Sequence, residues 1–215
     1  MWNDIKKSIL SGILISIGCS VYLSSIRLGF SWLGAILFTC GLFTICEYSC
    51  NLYTGKVGYI AYQFKNGKYY GFVALVCFFN IISSFLIGML CSQIFPVIHE
   101  EAAKLYTAKL SSSFLKSFIS SIFCGMIMFL AVDTWKRGKK FAIFIYIPTF
   151  IIAGFDHSIA NSFYNGAALD SYTFTWQNLF FVLLVILGNG IGGILISMLT
   201  KNLKDSSDNP KSENQ

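Results

Sequence analysis

The chain has 215 residues, 55% of them hydrophobic and only 12% charged, with a mean hydropathy of +0.64. This is the composition of an integral membrane protein. Helices of about 20 residues with short connections use up such a length in one compact domain, leaving nothing over for a soluble catalytic domain. The net charge of +6 comes from lysines and arginines dispersed at the ends of apolar segments, which argues against a nucleic-acid-binding face and for membrane topology.

Residues 1–7 precede the first apolar segment and no small-residue cleavage pattern follows, so the first helix is expected to be retained. Segment one covers about residues 9–25 and segment two about residues 30–50. Segment two then meets Asn51-Leu52-Tyr53-Thr54-Gly55-Lys56, after which residues 57–62 resume an apolar pattern too short to cross alone. This pattern predicts a helix interrupted partway and restarted. Non-helical backbone at that depth is tolerated only where protein buries it or where it lines a wet cavity. Segment three covers about residues 70–95 and ends at Pro96. Residues 97–113, with His99, Glu100, Glu101, Lys104 and Lys109, form an amphipathic or irregular connection at a membrane face.

Segment four covers about residues 114–132 and is closed by Asp133 and the basic cluster Lys136, Arg137, Lys139 and Lys140. Segment five, residues 141–154, is too short for a full span; it breaks at Asp156-His157 and restarts through residues 159–163, mirroring segment two. An aspartate and a histidine in the middle of so apolar a run mark a candidate functional site. Segment six covers about residues 176–200. Residues 1–204 are expected to form a single transmembrane domain, and the polar tail, residues 205–215, is expected to be disordered on the cytoplasmic side. The seven cysteines sit mostly inside apolar runs, with no C-x-x-C pair, and read as small buried residues rather than ligands.

Two halves of three segments, each with a broken middle helix, suggest an internal repeat. Asn80-Ile81-Ile82-Ser83-Ser84 and Asn189-Gly190-Ile191-Gly192-Gly193 share an asparagine, two intervening residues and then a pair of small residues. Three spans per half set the halves in opposite orientations, which makes the repeat inverted. With both termini inside, twelve lysines and arginines fall on the inner face (Lys6, Lys7, Lys56, Lys65, Lys68, Lys136, Arg137, Lys139, Lys140, Lys201, Lys204 and Lys211) and four on the outer (Arg27, Lys104, Lys109 and Lys116). The positive-inside rule therefore places both termini in the cytoplasm.

Asn51-Leu52-Tyr53-Thr54-Gly55, Gly154-Phe155-Asp156-His157-Ser158-Ile159-Ala160-Asn161 and the Asn-x-x-Gly-Gly that starts at Asn189 resemble, in order, the formate/nitrite transporter family, with the hydrosulfide-type branch as one possibility. The resemblance implies an all-α integral membrane fold, with six transmembrane helices in an aquaporin-like inverted 3+3 repeat whose helices 2 and 5 are broken. It also implies a homopentamer in the inner (plasma) membrane with one pore per subunit, and no cofactor, metal or nucleic-acid partner. Its substrates would be small monovalent weak-acid anions: formate, nitrite or hydrosulfide.

By position, His157 matches the family's central pore histidine, Thr54 the threonine facing it, and Lys109 the lysine that raises positive potential over the pore. Phe38, Leu42, Leu52 and Phe150 fall where apolar side chains narrow the pore, and Asn161 belongs to the same pathway through the histidine motif. Passage is then expected to be linked to protons through the central histidine, His157, with either the ring itself or water under the influence of Lys109 as the proton donor. Four residues depart from the family pattern: Asn51 where glutamate is common, Lys56 where asparagine often stands, Asp156 where glutamate is usual, and Gly125 in place of an asparagine close to the histidine. Gly125 leaves open which tautomer the histidine adopts, and Glu47 is either a replacement buried acid or a helix-end carboxylate facing a basic loop. Two other readings compete. One is a neutral-solute pore for water or ammonia, against which the absence of Asn-Pro-Ala counts. The other is a membrane-embedded enzyme using Asp156, His157 and Glu47, a thin ligand set for any metal.

Overall fold

The computed structural model describes residues 1–169, 173–201 and 203. The expected disordered tail, residues 205–215 with Lys211, and the Lys204 ahead of it lie outside the described residues. The chain is all-α, and among the described residues four helices are long and apolar enough to cross a membrane: α1 (Trp2–Arg27), α5 (Gly67–Ile94), α7 (Phe114–Lys136) and α10 (Trp176–Thr200). Local signals start three of them. Asn66, Ser113 and Thr175 accept hydrogen bonds from the amides of Tyr69, Lys116 and Asn178, satisfying donors that the first turn would leave orphaned.

Between these long rods lie shorter helices. The stretch expected as segment two is divided into α2 (Ser31–Leu37) and α3 (Thr39–Glu47), hinged at Phe38, followed by non-helical residues and then α4 (Tyr53–Lys56) and a 3-10 turn (Val57–Tyr62). The stretch expected as segment five consists of a 3-10 turn (Lys140–Ala142), α8 (Ile143–Ile152), a break, and α9 (Ser158–Ala168). Gly154 has φ +71°, a conformation a side chain would strain, and it lets the chain leave α8 and enter the break. Every residue of α9 is buried.

Three expectations shift. First, α1 begins at Trp2 rather than near residue 9, because hydropathy marks only the apolar part of a helix whose polar first turns are equally helix-compatible. Second, the connection after segment three is a regular helix, α6 (Pro96–Leu110), with proline at its first position, where the missing N–H costs nothing. Third, Asp133 does not end α7. The helix runs one turn further to Lys136, with Asp133 buried and paired to Arg137 at 3.3 Å.

The core is built by small residues that let backbones meet. Along α1, Gly12 and Ser16 face α5; a methyl group on Gly12 would lie 2.0 Å from Ser83 Oγ, and Ser16 and Ser84 share a hydrogen bond of 3.2 Å. The α7–α10 contact is as tight, since a methyl group on Gly125 would lie 2.1 Å from the Asn189 carbonyl oxygen. Close approach of this kind replaces the hydrophobic driving force that helices lack in lipid. Large apolar residues such as Phe78, Leu86, Leu90, Leu183 and Leu187 are more than half or about half exposed on the outside of the long helices, where lipid or a neighbouring subunit is their natural solvent.

Candidate functional site

The two breaks are held open by the two asparagines singled out in the sequence. Asn80 Oδ1 accepts from the amide of Tyr53 at 2.8 Å, while its Nδ2 donates to the carbonyls of Ser8 at 2.7 Å and Asn51 at 3.0 Å. Asn189 Oδ1 accepts from the amide of Ser158 at 2.8 Å, and its Nδ2 donates to the carbonyls of Ser121 at 2.7 Å and Asp156 at 2.8 Å. In each case one carboxamide ties the first amide of a half-helix to the carbonyl two residues before it and to a serine carbonyl on a third helix. Backbone groups freed by a break at membrane depth must find partners inside the protein, and one asparagine supplies all three. Leu52 and His157 occupy equivalent places, both extended residues just ahead of a half-helix, at φ −104°, ψ 128° and φ −97°, ψ 119°.

His157 is 2% exposed, and its ring nitrogens are both engaged. The amide of Ala160 donates to Nδ1 at 3.1 Å, so the ring caps α9. An acceptor at Nδ1 carries no proton, so the neutral ring bears its proton on Nε2 and donates it to Thr54 Oγ1 at 3.0 Å. The open question left by Gly125 is thereby answered: the α9 amide, not an asparagine on α7, fixes the tautomer, and Gly125 instead admits the backbone of α10. Thr54 is fully buried at the start of α4 and its hydroxyl makes only this bond among the described residues, so the Thr54 proton is available as a donor.

One chamber touches His157 and another touches Leu52 and Gly55, the chain neighbours of Thr54. One, of about 50 Å³, touches His157, Phe38, Phe150, Lys109, Asn161 and Tyr164, and the other, of about 270 Å³, touches Leu52, Gly55, Lys56, Cys46 and Lys136. Phe38 meets Phe150 edge to face at 6.1 Å between centroids, and Phe150 lies 5.8 Å from the His157 ring. Leu42 is fully buried beside them and lines neither chamber. Of the eight residues expected along the pathway, five (His157, Lys109, Phe38, Phe150 and Asn161) meet at one chamber, Leu52 faces the other, and Thr54 bridges to the histidine.

Lys109 is not a bare charge. Its ammonium donates to Asp156 Oδ1, which also accepts from Asn161 Nδ2 at 3.0 Å, and Asp156 Oδ2 accepts from Ser120 at 3.0 Å. Ser120 in turn accepts from the Asp156 amide at 2.9 Å. Asp156 and Ser120 were missing from the expected pathway. Asp156 had a signal in its place beside His157, while Ser120 stands in the serine run Ser117, Ser120, Ser121, whose spacing marks one helix face without naming a partner. Above this chamber, Glu101 on α6 is bonded by Lys104 at 2.9 Å, which holds its carboxyl below the ordinary glutamate range, with Arg27 beside it. Glu47 proves to be the helix-end carboxylate of the two alternatives: it is half exposed and accepts from Lys140 at 3.0 Å.

A family model described as formate/nitrite transporter matches residues 1–202. An uncharacterized transporter, YrhG, of Bacillus subtilis (strain 168) is 28% identical over 202 residues, covering 82% of this chain and 74% of that protein. A formate-nitrite transporter of Plasmodium knowlesi (strain H) is 30% identical over 141 residues, 60% of this chain and 44% of its own. Two solved structures share the fold. An ion channel of the FNT family has a TM-score of 0.78 at 19% identity over 94% of this chain and 90% of that one. A pentameric formate channel with formate bound has a TM-score of 0.72 at 18% identity, over 98% of each chain.

Proposed function

Since the chain belongs to the formate/nitrite transporter family, and is thus a multi-pass membrane protein that moves small monovalent anions rather than an enzyme, we propose that the anions pass between the two chambers across the His157–Thr54 hydrogen bond. That bond carries the reading: it joins two buried polar groups, and the buried apolar side chains of Phe38, Leu42, Leu52 and Phe150 form, on this reading, the constriction around them. An anion stripped of water there costs several kcal/mol or more unless it is neutralised or hydrogen-bonded. A weak acid protonated at the chamber crosses as a neutral molecule, with the Thr54 hydroxyl and the His157 Nε2–H as the donors at the centre.

The role of His157 is narrower than the sequence expectation of a proton route through the ring. Charging the imidazole would place a proton on Nδ1 and break the bond from Ala160, so in our reading the ring remains a neutral donor and the proton reaches the anion from chamber water. Lys109, paired to Asp156, positions the break and contributes no net charge with its partner.

On the same reading, α2 to α4 with their 3-10 turn and α8 with α9 form two further, broken crossings beside the four long helices, giving six in an inverted 3+3 repeat within one domain. The matched jobs of Asn80 and Asn189 support this. Segregation of Lys56, Lys136, Lys140 and Lys201 at one end, against Arg27, Lys104 and Lys109 at the other, supports cytoplasmic termini in a plasma membrane.

The test is flux into vesicles holding the purified chain, comparing formate, nitrite, hydrosulfide and chloride across about pH 5 to 8. Weak-acid anions should outrun chloride, with flux rising as pH falls, and the ranking would name the substrate. Fast water or ammonia passage with no anion flux would replace this reading with a neutral-solute pore.

A further inference from the structure

We propose that the larger chamber, on the amino-terminal side of the constriction, is a loading site for a small monovalent anion centred on the Lys56 ammonium, and that the opposite chamber has no equivalent. The inference rests on the transport reading above and adds to it a direction: anions are captured more readily from the face that carries the amino terminus.

Charge and room separate the two chambers. Lys56 is half-buried in the wall of the 270 Å³ chamber, and its side chain makes no ion pair or hydrogen bond among the described residues. Among the described residues, the carboxylates of this face are already engaged. Asp4, which acts on Lys56 electrostatically, is paired with the amino terminus at 3.1 Å; Glu47 is paired with Lys140 at 3.0 Å; and Asp133 lies 3.3 Å from Arg137. Further positive charge comes from Lys7, which also acts on Lys56, and from Lys136, which lines the chamber with its ammonium 3.8 Å from the centre of the Tyr59 ring. The carboxyl end of α3 meets the chamber at Cys46 and Ser49, and its dipole opposes an anion with about half an elementary charge, less than the full charge of one lysine.

The opposite chamber inverts each term. It holds about 50 Å³, and its cation, Lys109, is neutralised by Asp156 within the same wall. A small monovalent anion therefore has more room beside Lys56 than beside Lys109, and meets there a cation with no carboxylate paired to it among the described residues. The sequence alone flagged Lys56 only as a departure from a family pattern; the structure gives the departure a chemical use.

Half-saturation for formate is measured separately from each face, with right-side-out and inside-out membrane vesicles from cells lacking other formate transport. The wild type should saturate at lower formate from the amino-terminal face. Lys56→Gln should raise that value about tenfold, equal to 1.4 kcal/mol, and leave the opposite face unaltered, while Lys56→Arg should restore the wild-type asymmetry. As a direct binding readout, labelling of Cys46, which lines the chamber, by an anionic methanethiosulfonate is followed by peptide mass spectrometry. Formate should slow it in the wild type and not in Lys56→Gln. Equal half-saturation at both faces of the wild type, equal shifts at both faces of the variant, or labelling of Cys46 indifferent to formate would each overturn the proposal. If no vesicle shows anion flux, the transport reading falls, and the labelling result still decides the site.

Discussion

A histidine buried at membrane depth is expensive unless each ring nitrogen has work, and here each does: Nδ1 caps α9 and Nε2–H faces Thr54. The consequence is that the two residues should act as one unit. Thr54→Val leaves the Nε2–H unpaired, a penalty of about 1–3 kcal/mol for a buried donor, and should lower anion flux by about tenfold or more. His157→Gln should lower it comparably, and the double variant should cost clearly less than the sum, as expected of residues in direct contact. On the proposal that the ring acts as a neutral donor, the rise of flux with falling pH should survive in His157→Gln at the reduced level. Loss of that slope would show that the imidazole is itself the titrating group, and unchanged flux at every pH would remove it from the pathway. The Lys109–Asp156 pair behaves differently from the lone lysine of the sequence reading, since its charge is balanced within the wall and its bonds to Ser120 and Asn161 fix the loop ahead of His157.

At the scale of elements, the breaks matter more than the long helices. Each break exposes backbone donors and acceptors where neither water nor a regular helix satisfies them, and each is repaired by one asparagine making three hydrogen bonds. Replacing Asn80 or Asn189 with Ala strands those groups. Each change should destabilise the folded chain by about 2–4 kcal/mol, read as a lowered melting temperature in detergent. The two losses should be similar in size if the halves are equivalent, and a large effect at one asparagine with none at the other would contradict the inverted repeat. Small residues act at the same scale: Gly12 and Gly125 leave no space for a methyl group, so the rods meet at backbone distance and the asparagines reach their partners.

For the whole molecule, the decisive quantity is apolar surface. Around α5 and α10, Phe78, Leu86, Leu90, Leu183 and Leu187 stand outward on a chain with no aqueous solvent at that depth, and only lipid or further copies of the chain can cover them. The family resemblance read in the sequence implies a homopentamer, each subunit with its own pathway, and copies of the chain packed on these faces would cover them. Native mass spectrometry from mild detergent should give a particle of five chains. A particle that stays monomeric while retaining anion flux would show that the pathway is complete in one subunit and that the fifth-order assembly is dispensable.

What the sequence by itself determined was written in its polar and apolar pattern: the membrane class, the helix from Trp176 to Thr200 at its observed limits, the two interruptions and the paired asparagines, while the meeting of His157 with Thr54 was implied only by the family resemblance. These are legible because hydrocarbon tolerates no unexplained polarity, so each polar residue inside an apolar run is a message about structure. What only the tertiary structure decided was partnership. The tautomer of His157 depends on an amide three residues away, the charge balance of Lys109 on an aspartate 47 positions along the chain, and the lack of a carboxylate partner for Lys56 among the described residues on where Asp4, Glu47 and Asp133 find their own cations. Charge acts through distance in space, and chain order does not encode which opposite charge will arrive first.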